Sequence, residues 1–141
     1  GRKKSPDSGV AHTPRAAVEK QDRVLVSMEI VKGRPKLLTR ETQAELRDIF
    51  ELACTDPFKI LEYRVQENQI HLLVRANDRD SLGRGMGGLG SRMSRRLNRF
   101  WGSSGTVYAD RYADTVLKTP EEIKKAKRKV GSGGTWKQLK K

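Results

Sequence analysis

The chain has 141 residues, with 30 Lys and Arg against 17 Asp and Glu, a net charge of +13 and a pI near 10.2. Hydrophobic residues make up 35% of it, enough for one modest core, and no apolar run approaches the roughly 18 residues of a membrane span. A single cysteine, Cys54, excludes an internal disulfide and any zinc site built on paired cysteines. The chain opens on Gly1 rather than Met, as a processed or trimmed product would, and no secretory signal is visible. Together these features point to an intracellular protein that faces a polyanion.

The charge is segmental. Residues 23–81 carry ten basic and ten acidic groups, and 102–118 carry two of each. Residues 82–101 carry five arginines and no acid, and 119–141 carry eight basic groups against two acidic ones. A merely solubilising surface would spread its charge; concentration into segments suits contact with a polyanion.

Residues 1–22 have no apolar period and read as a flexible basic arm, with Arg2, Lys3 and Lys4 at its start. From Arg23 to Val31, Val24, Val26, Met28 and Ile30 alternate with polar residues, the pattern of a half-buried strand. Thr42 and Glu45 have capping-box spacing, and Leu46, Ile49, Phe50 and Ala53 recur at helical period until Pro57. Phe58–Val65 and Gln69–Arg75 read as two strands of a hairpin about the turn Gln66-Glu67-Asn68.

Leu82 to Trp101 is a predicted helix. Leu82, Met86, Leu89, Met93, Leu97 and Phe100 fall in one stripe about 80° wide, with Arg84, Arg92, Arg95, Arg96 and Arg99 expected opposite. Five glycines at 83, 85, 87, 88 and 90 each cost such a helix roughly 1 kcal/mol relative to alanine, so close packing or close ligand approach is expected there. Thr106 to Leu117 reads as a strand bent near Asp110-Arg111. Thr119-Pro120-Glu121-Glu122 starts a third helix that runs to about Val130. Residues 131–141 read as a Gly/Lys tail. The result is an α+β, ferredoxin-like βαββαβ antiparallel sheet with helices on one face, plus a C-terminal basic helix, in a domain spanning 23–130.

Period two puts Gln69, His71, Leu73 and Arg75 on one face of the third strand and Ile70, Leu72 and Val74 on the other. The apolar set should pack under the helices, leaving His71 on an open sheet beside Gln69. A lone imidazole does not make a metal site, since ligands converge in threes and fours.

Asn68-Gln69-Ile70-His71-Leu72-Leu73-Val74 resembles the signature strand of the single-tyrosine transposases, in the histidine–hydrophobic–histidine nuclease superfamily. The REP-associated tyrosine transposases and their insertion-sequence relatives are the closest in pattern. Leu82-Gly83-Arg84-Gly85-Met86, Leu97-Asn98-Arg99-Phe100-Trp101-Gly102, Tyr108-Ala109-Asp110-Arg111-Tyr112 and Leu117-Lys118-Thr119-Pro120-Glu121-Glu122 are similar to the same family, in the same order. The resemblance spans about residues 23–130. It implies two strand histidines holding a divalent metal, and a helix tyrosine that attacks a phosphodiester of single-stranded DNA.

Measured against that pattern, the first histidine position holds Gln69, a poorer ligand than imidazole. His71 is retained as the one metal-ligand candidate. The tyrosine position falls on Lys129, and no tyrosine follows Tyr112. Position 113, often histidine in the relatives, is Ala113. Gln69, His71 and Lys129 are thus remnant positions. Tyr63, Tyr108 and Tyr112 are the remaining candidate nucleophiles, with Tyr112 the outside candidate on a strand expected to border the metal face.

These residues predict a transposase-like DNA-binding protein that has lost cleavage, with no cofactor, and a DNA hairpin or single strand as its partner. An active nickase with a remodelled site, using magnesium or manganese, is one alternative; an RNA- or ribonucleoprotein-binding module is another. DNA is preferred over RNA by resemblance, and a homodimer stays open because relatives occur as monomers and dimers. No membrane contact is expected, and a cytoplasmic, nucleoid-associated setting follows. The contact set is the five helix arginines, then Lys124, Lys125, Lys127, Arg128 and Lys129, then the arm residues Arg2, Lys3 and Lys4.

Overall fold

The computed structural model describes residues 15–108 and 111–139. The strands are β1 (Arg23–Glu29), β2 (Phe58–Val65), β3 (Gln69–Ala76), β4 (Ala113–Leu117) and β5 (Trp136–Gln138). The helices are α1 (Arg40–Ala53), α2 (Arg79–Trp101) and α3 (Pro120–Lys129). All neighbouring strands are antiparallel, in the order β4-β1-β3-β2-β5. The expected βαββαβ succession is present in an α+β fold, and the fifth strand extends it beyond a bare four-stranded ferredoxin-like sheet. None of the helices among the described residues is long and apolar enough to cross a membrane.

Alternation decides the two faces. Val24, Val26 and Met28 of β1, with Ile70, Leu72 and Val74 of β3, are essentially inaccessible and pack under α1 and α2. The α2 stripe Leu82, Met86, Leu89, Met93 and Leu97 is fully buried against them, each side chain worth roughly 1.5–3 kcal/mol by transfer. Phe100, predicted in that stripe, is instead 43% exposed. Two glycines make the close packing expected of them. A Cβ on Gly85 would stand 2.2 Å from the Phe58 ring, and one on Gly90 would stand 2.4 Å from the Tyr108 ring. Gly83, Gly87 and Gly88 face open space.

The helix starts differ in detail. Thr39, not Thr42, caps α1: its hydroxyl accepts from the Thr42 N–H at 3.2 Å. Thr42 is buried and accepts from Trp101 Nε1 at 3.4 Å, which locks the end of α2 onto α1. At α3 the expected capping box between Thr119 and Glu122 is formed.

Three expectations are corrected. The predicted strand from Thr106 is divided: Tyr108 makes only an isolated bridge to Ile30, and β4 begins at Ala113. The predicted tail contains β5. Gly133 and Gly134 take positive φ values of 93° and 73° and turn the chain back onto β2. At Gly134 a Cβ would meet the Val65 carbonyl oxygen at 2.0 Å, so only glycine permits that return. The basic arm is docked over its described part: Val18 is buried, Ala16 O accepts from Arg79 Nε at 2.8 Å, and buried Asp22 accepts from Lys118 Nζ at 2.8 Å. Arg2, Lys3 and Lys4 lie outside the described residues.

Candidate nucleic-acid interface

The second sheet face carries Leu25 and Ser27 of β1, His71 and Leu73 of β3, and Thr115 and Leu117 of β4, by register. It was expected to be open and is not. Residues of α3 face Leu25, Thr115 and Leu117 across a shared cleft. Lys127 of α3 pairs with Glu62 of β2 at 2.6 Å, and the loop after α3 lies over Arg64, whose Nε donates to Gly133 O at 2.9 Å. α1 and α2 therefore share one face, and α3 with its following loop takes the other.

His71 is only 6% exposed and both ring nitrogens are occupied. Ser27 Oγ lies 2.8 Å from Nδ1, and Gln66 Oε1 lies 2.7 Å from Nε2. The amide of Gln66 fixes the proton. Its Nε2 donates to the carbonyls of Gly131 and Ser132 at 2.6 and 2.9 Å, so its Oε1 can only accept. His71 Nε2 must then carry hydrogen, and Nδ1 accepts from the Ser27 hydroxyl; this tautomer is assigned from the network. Burial, and then the Arg64 guanidinium, hold the imidazole below its ordinary pKa, which favours the neutral form. In this arrangement the ring offers no free lone pair to a metal. Among the described residues, no three His, Cys, Asp or Glu side chains converge into a metal-binding group. The residues present do not fit a divalent-metal site, and His71 serves here as a bridge between β1, β3 and the loop after α3.

Gln66 was read only as a turn residue. Its role was within reach of the alternation rule: Val65 points into the core, so the next residue points to the His71 face. Gln69 pairs with Glu29 at the end of β1, and it is Gln66 that bonds to His71.

The tyrosines sit elsewhere. Tyr63 is 2% exposed and packs on Phe50 of α1 with ring centroids 5.0 Å apart; burial raises its pKa. Tyr108 packs against Gly90 of α2. Tyr112 lies under Arg15, whose guanidinium carbon is 4.2 Å from the ring centroid. Arg15 also pairs with Asp114, which is opposite the core residue Val26 and pairs with Arg79 Nη1 at 2.9 Å. All three tyrosines of the chain thus lie on the α1–α2 side. The expectation that Tyr112 borders the His71 face is overturned by strand parity.

The arginines of α2 do not act as one set. Arg96 pairs with Glu45 and Asp48 of α1 at 2.9 and 3.0 Å, and these carboxylates raise its pKa. At 100° per residue it lies only about 20° from the edge of the apolar stripe, not opposite it. Arg84 pairs with Asp80 four residues earlier. Arg92 is half-buried, and its Nε is enclosed without a partner among the described residues. Arg95 and Arg99 are exposed, and among the described residues neither is in an ion pair. On α3, Lys124, Lys125, Arg128 and Lys129 are exposed, whereas Lys127 is held by Glu62 and lies 5.1 Å from the Trp136 ring centroid.

Solved structures share this architecture. A REP-associated tyrosine transposase bound to a REP hairpin matches with a TM-score of 0.63 and 14% identity, over 83% of this chain and 68% of that one. A Deinococcus radiodurans protein described as a transposase matches with a TM-score of 0.55 and 19% identity, over 84% of this chain and 95% of that one. At these identities the two establish the fold. No curated protein sequence matches the chain. The IS200-like transposase family model matches residues 25–128, which covers β1 through nearly all of α3, and the chain belongs to that family.

Proposed function

We propose that this transposase-family protein binds DNA and does not cut it. The observation that carries the reading is the composition of the His71 face: every tyrosine lies on the other side of the sheet, and both nitrogens of His71 are engaged within the protein. A covalent phosphotyrosine step needs a phenolate next to the polarised phosphate, and this face offers none. What supports binding is the set of exposed cations on α2 and α3 that are in no ion pair among the described residues, and the family itself. A DNA hairpin with a short single-stranded flank is the preferred ligand, since one solved relative of the same fold is bound to a REP hairpin.

The test is a gel-shift titration with such a hairpin at several salt concentrations, run beside a cleavage assay on labelled single-stranded DNA with manganese or magnesium. The expected result is a retarded complex whose affinity falls steeply with salt, with no product and no covalent adduct. An adduct on any tyrosine overturns the loss of cleavage. Salt-independent binding, or none, overturns the binding.

A further inference from the structure

At the β5 edge of the sheet, α1 and β5 enclose a cleft of about 350 Å³. Its lining includes Leu38, Arg40, Gln43, Arg47, Tyr63 and Lys137. That volume lies within the roughly 300–1,000 Å³ of small-ligand clefts. None of these residues belongs to the His71 face or to α2.

Local structure brings three cations to the cleft. Arg40, Gln43 and Arg47 lie at positions i, i+3 and i+7 of α1, on one side of the helix. Lys137 is paired with the core residue Tyr63, so strand parity sets it on the helix side of the sheet. A neutral amide holds it there: its Nζ donates to Gln43 Oε1 at 3.2 Å, and Gln43 Nε2 donates to Leu38 O at 3.2 Å. An ammonium has three donors, so most of its capacity stays open. Arg40 makes no ion pair among the described residues. Arg47 meets Glu51 only loosely, Nε to Oε2 at 3.5 Å, with its side chain 48% exposed.

The floor is a phenol. Tyr63 is buried, yet it lines the cleft. Burial raises its pKa, and the Arg47 charge opposes that rise, which places the guanidinium beside the hydroxyl. The hydroxyl keeps its proton at neutral pH and donates to no group among the described residues. Three cations and an O–H around one hollow match an anion of several charges. Arg40 and Arg47 are about 10.5 Å apart along the helix axis, so a chain of phosphates, rather than one, reaches both. The backbone of a duplex is a convex ridge that meets protruding cations; a hollow is filled by a compact, free-ended anion.

We infer that this cleft binds the oligophosphate chain of a small molecule, a nucleoside triphosphate or inorganic triphosphate, on Arg40, Arg47, Lys137 and the Tyr63 hydroxyl. Leu38 at the rim is 40% exposed and offers apolar contact to a base. The bound chain ties α1 to β5. The site stands apart from DNA binding and does not require it.

The test is calorimetry and nuclear magnetic resonance of the full chain at fixed ionic strength, titrated with ATP, inorganic triphosphate, sulfate and a single-stranded pentanucleotide. Both triphosphates are expected to saturate one site per chain, at least tenfold tighter than sulfate, with shifts confined to residues 38–47 and 136–139. Tighter binding of ATP with shifted Leu38 methyls assigns a nucleotide; equal binding assigns the bare chain. Tyr63→Phe removes one donor to a charged group and should weaken binding about tenfold. Arg40→Gln should weaken it similarly and leave the melt of the unliganded protein unchanged. Lys125→Gln with Lys129→Gln should have no effect. Sulfate binding as tight, shifts spread over α2 and α3, wild-type affinity in both Tyr63→Phe and Arg40→Gln, or no binding overturns the site. Pentanucleotide binding of equal affinity at the same residues overturns it as well, because the cleft is then a contact for a nucleic-acid strand.

Discussion

Gln66 Oε1 accepts from His71 Nε2 at 2.7 Å, while the other end of the same amide donates to the carbonyls of Gly131 and Ser132. One side chain therefore connects the third strand to the loop that delivers β5 to the sheet edge. Gln66→Leu removes it at nearly constant volume. The imidazole N–H then loses its partner in a buried setting, at a cost of about 1–3 kcal/mol, while the carbonyls of the exposed Gly131 and Ser132 turn to water. A lower denaturation midpoint is expected, together with faster amide exchange at Trp136–Gln138. Unchanged exchange there would show that β5 is held by its ladder alone.

The same network makes stability depend on pH. His71 has its pKa lowered from 6.5 in the folded state, so between the folded value and 6.5 the unfolded chain binds more protons. Stability therefore rises with pH through that window. The contribution is fully present above about pH 6.5, falls as the solution is acidified below it, and levels off below the folded pKa. His71→Gln should flatten that part of the curve. Denaturant titrations at half-unit pH steps check this, and an equal slope in wild type and variant would count against it.

Glycines 85 and 87 on α2 are two residues apart and should behave oppositely. Gly87 faces open space, so Gly87→Ala should stabilise the helix by about 1 kcal/mol through propensity alone. At Gly85 the new methyl meets the Phe58 ring at 2.2 Å, and the rearrangement it forces costs about 1–3 kcal/mol, enough to cancel the propensity gain or exceed it. Thermal melts of the two variants should move in opposite directions, or Gly85→Ala should be neutral while Gly87→Ala rises. A rise in both would show that Phe58 has room to move.

Much of the fold was legible in the sequence because the signals were periodic: the alternation in β1 and β3, the α2 stripe from Leu82 to Leu97 and the α3 cap stand as expected, with Phe100 alone leaving the stripe. β5 was missed because three residues carry no period, and because Gly133 and Gly134 read equally well as a linker and as a turn. The candidate site was harder to read, since its meaning lies in side-chain partners. Gln69 drew attention by position, yet Gln66 reaches His71. Tyr112 looked like a neighbour of His71 until the pairing of Val26 with Asp114 set the parity of β4. Arg96 looked like part of a phosphate-binding face until α1 supplied two carboxylates.

That division among the α2 arginines separates stability from affinity. Arg96 joins α2 to Glu45 and Asp48 of α1 with its side chain 25% exposed, and pairs this accessible are worth at most about 1 kcal/mol. Arg96→Ala should therefore lower the melting temperature slightly and leave DNA binding nearly unchanged. Arg95 and Arg99 are exposed and outside any ion pair among the described residues. Arg95→Ala and Arg99→Ala should each leave the melt unchanged and lower the slope of log affinity against log salt by about 0.9 on duplex DNA, the value for one lost phosphate contact. Binding titrations of a DNA hairpin across a salt series, beside melts of the same preparations, measure both. If Arg96→Ala reduced the salt slope as much as Arg95→Ala did, the pairing with α1 would have to open on DNA, and the whole arginine face, rather than its exposed pair, would be the contact.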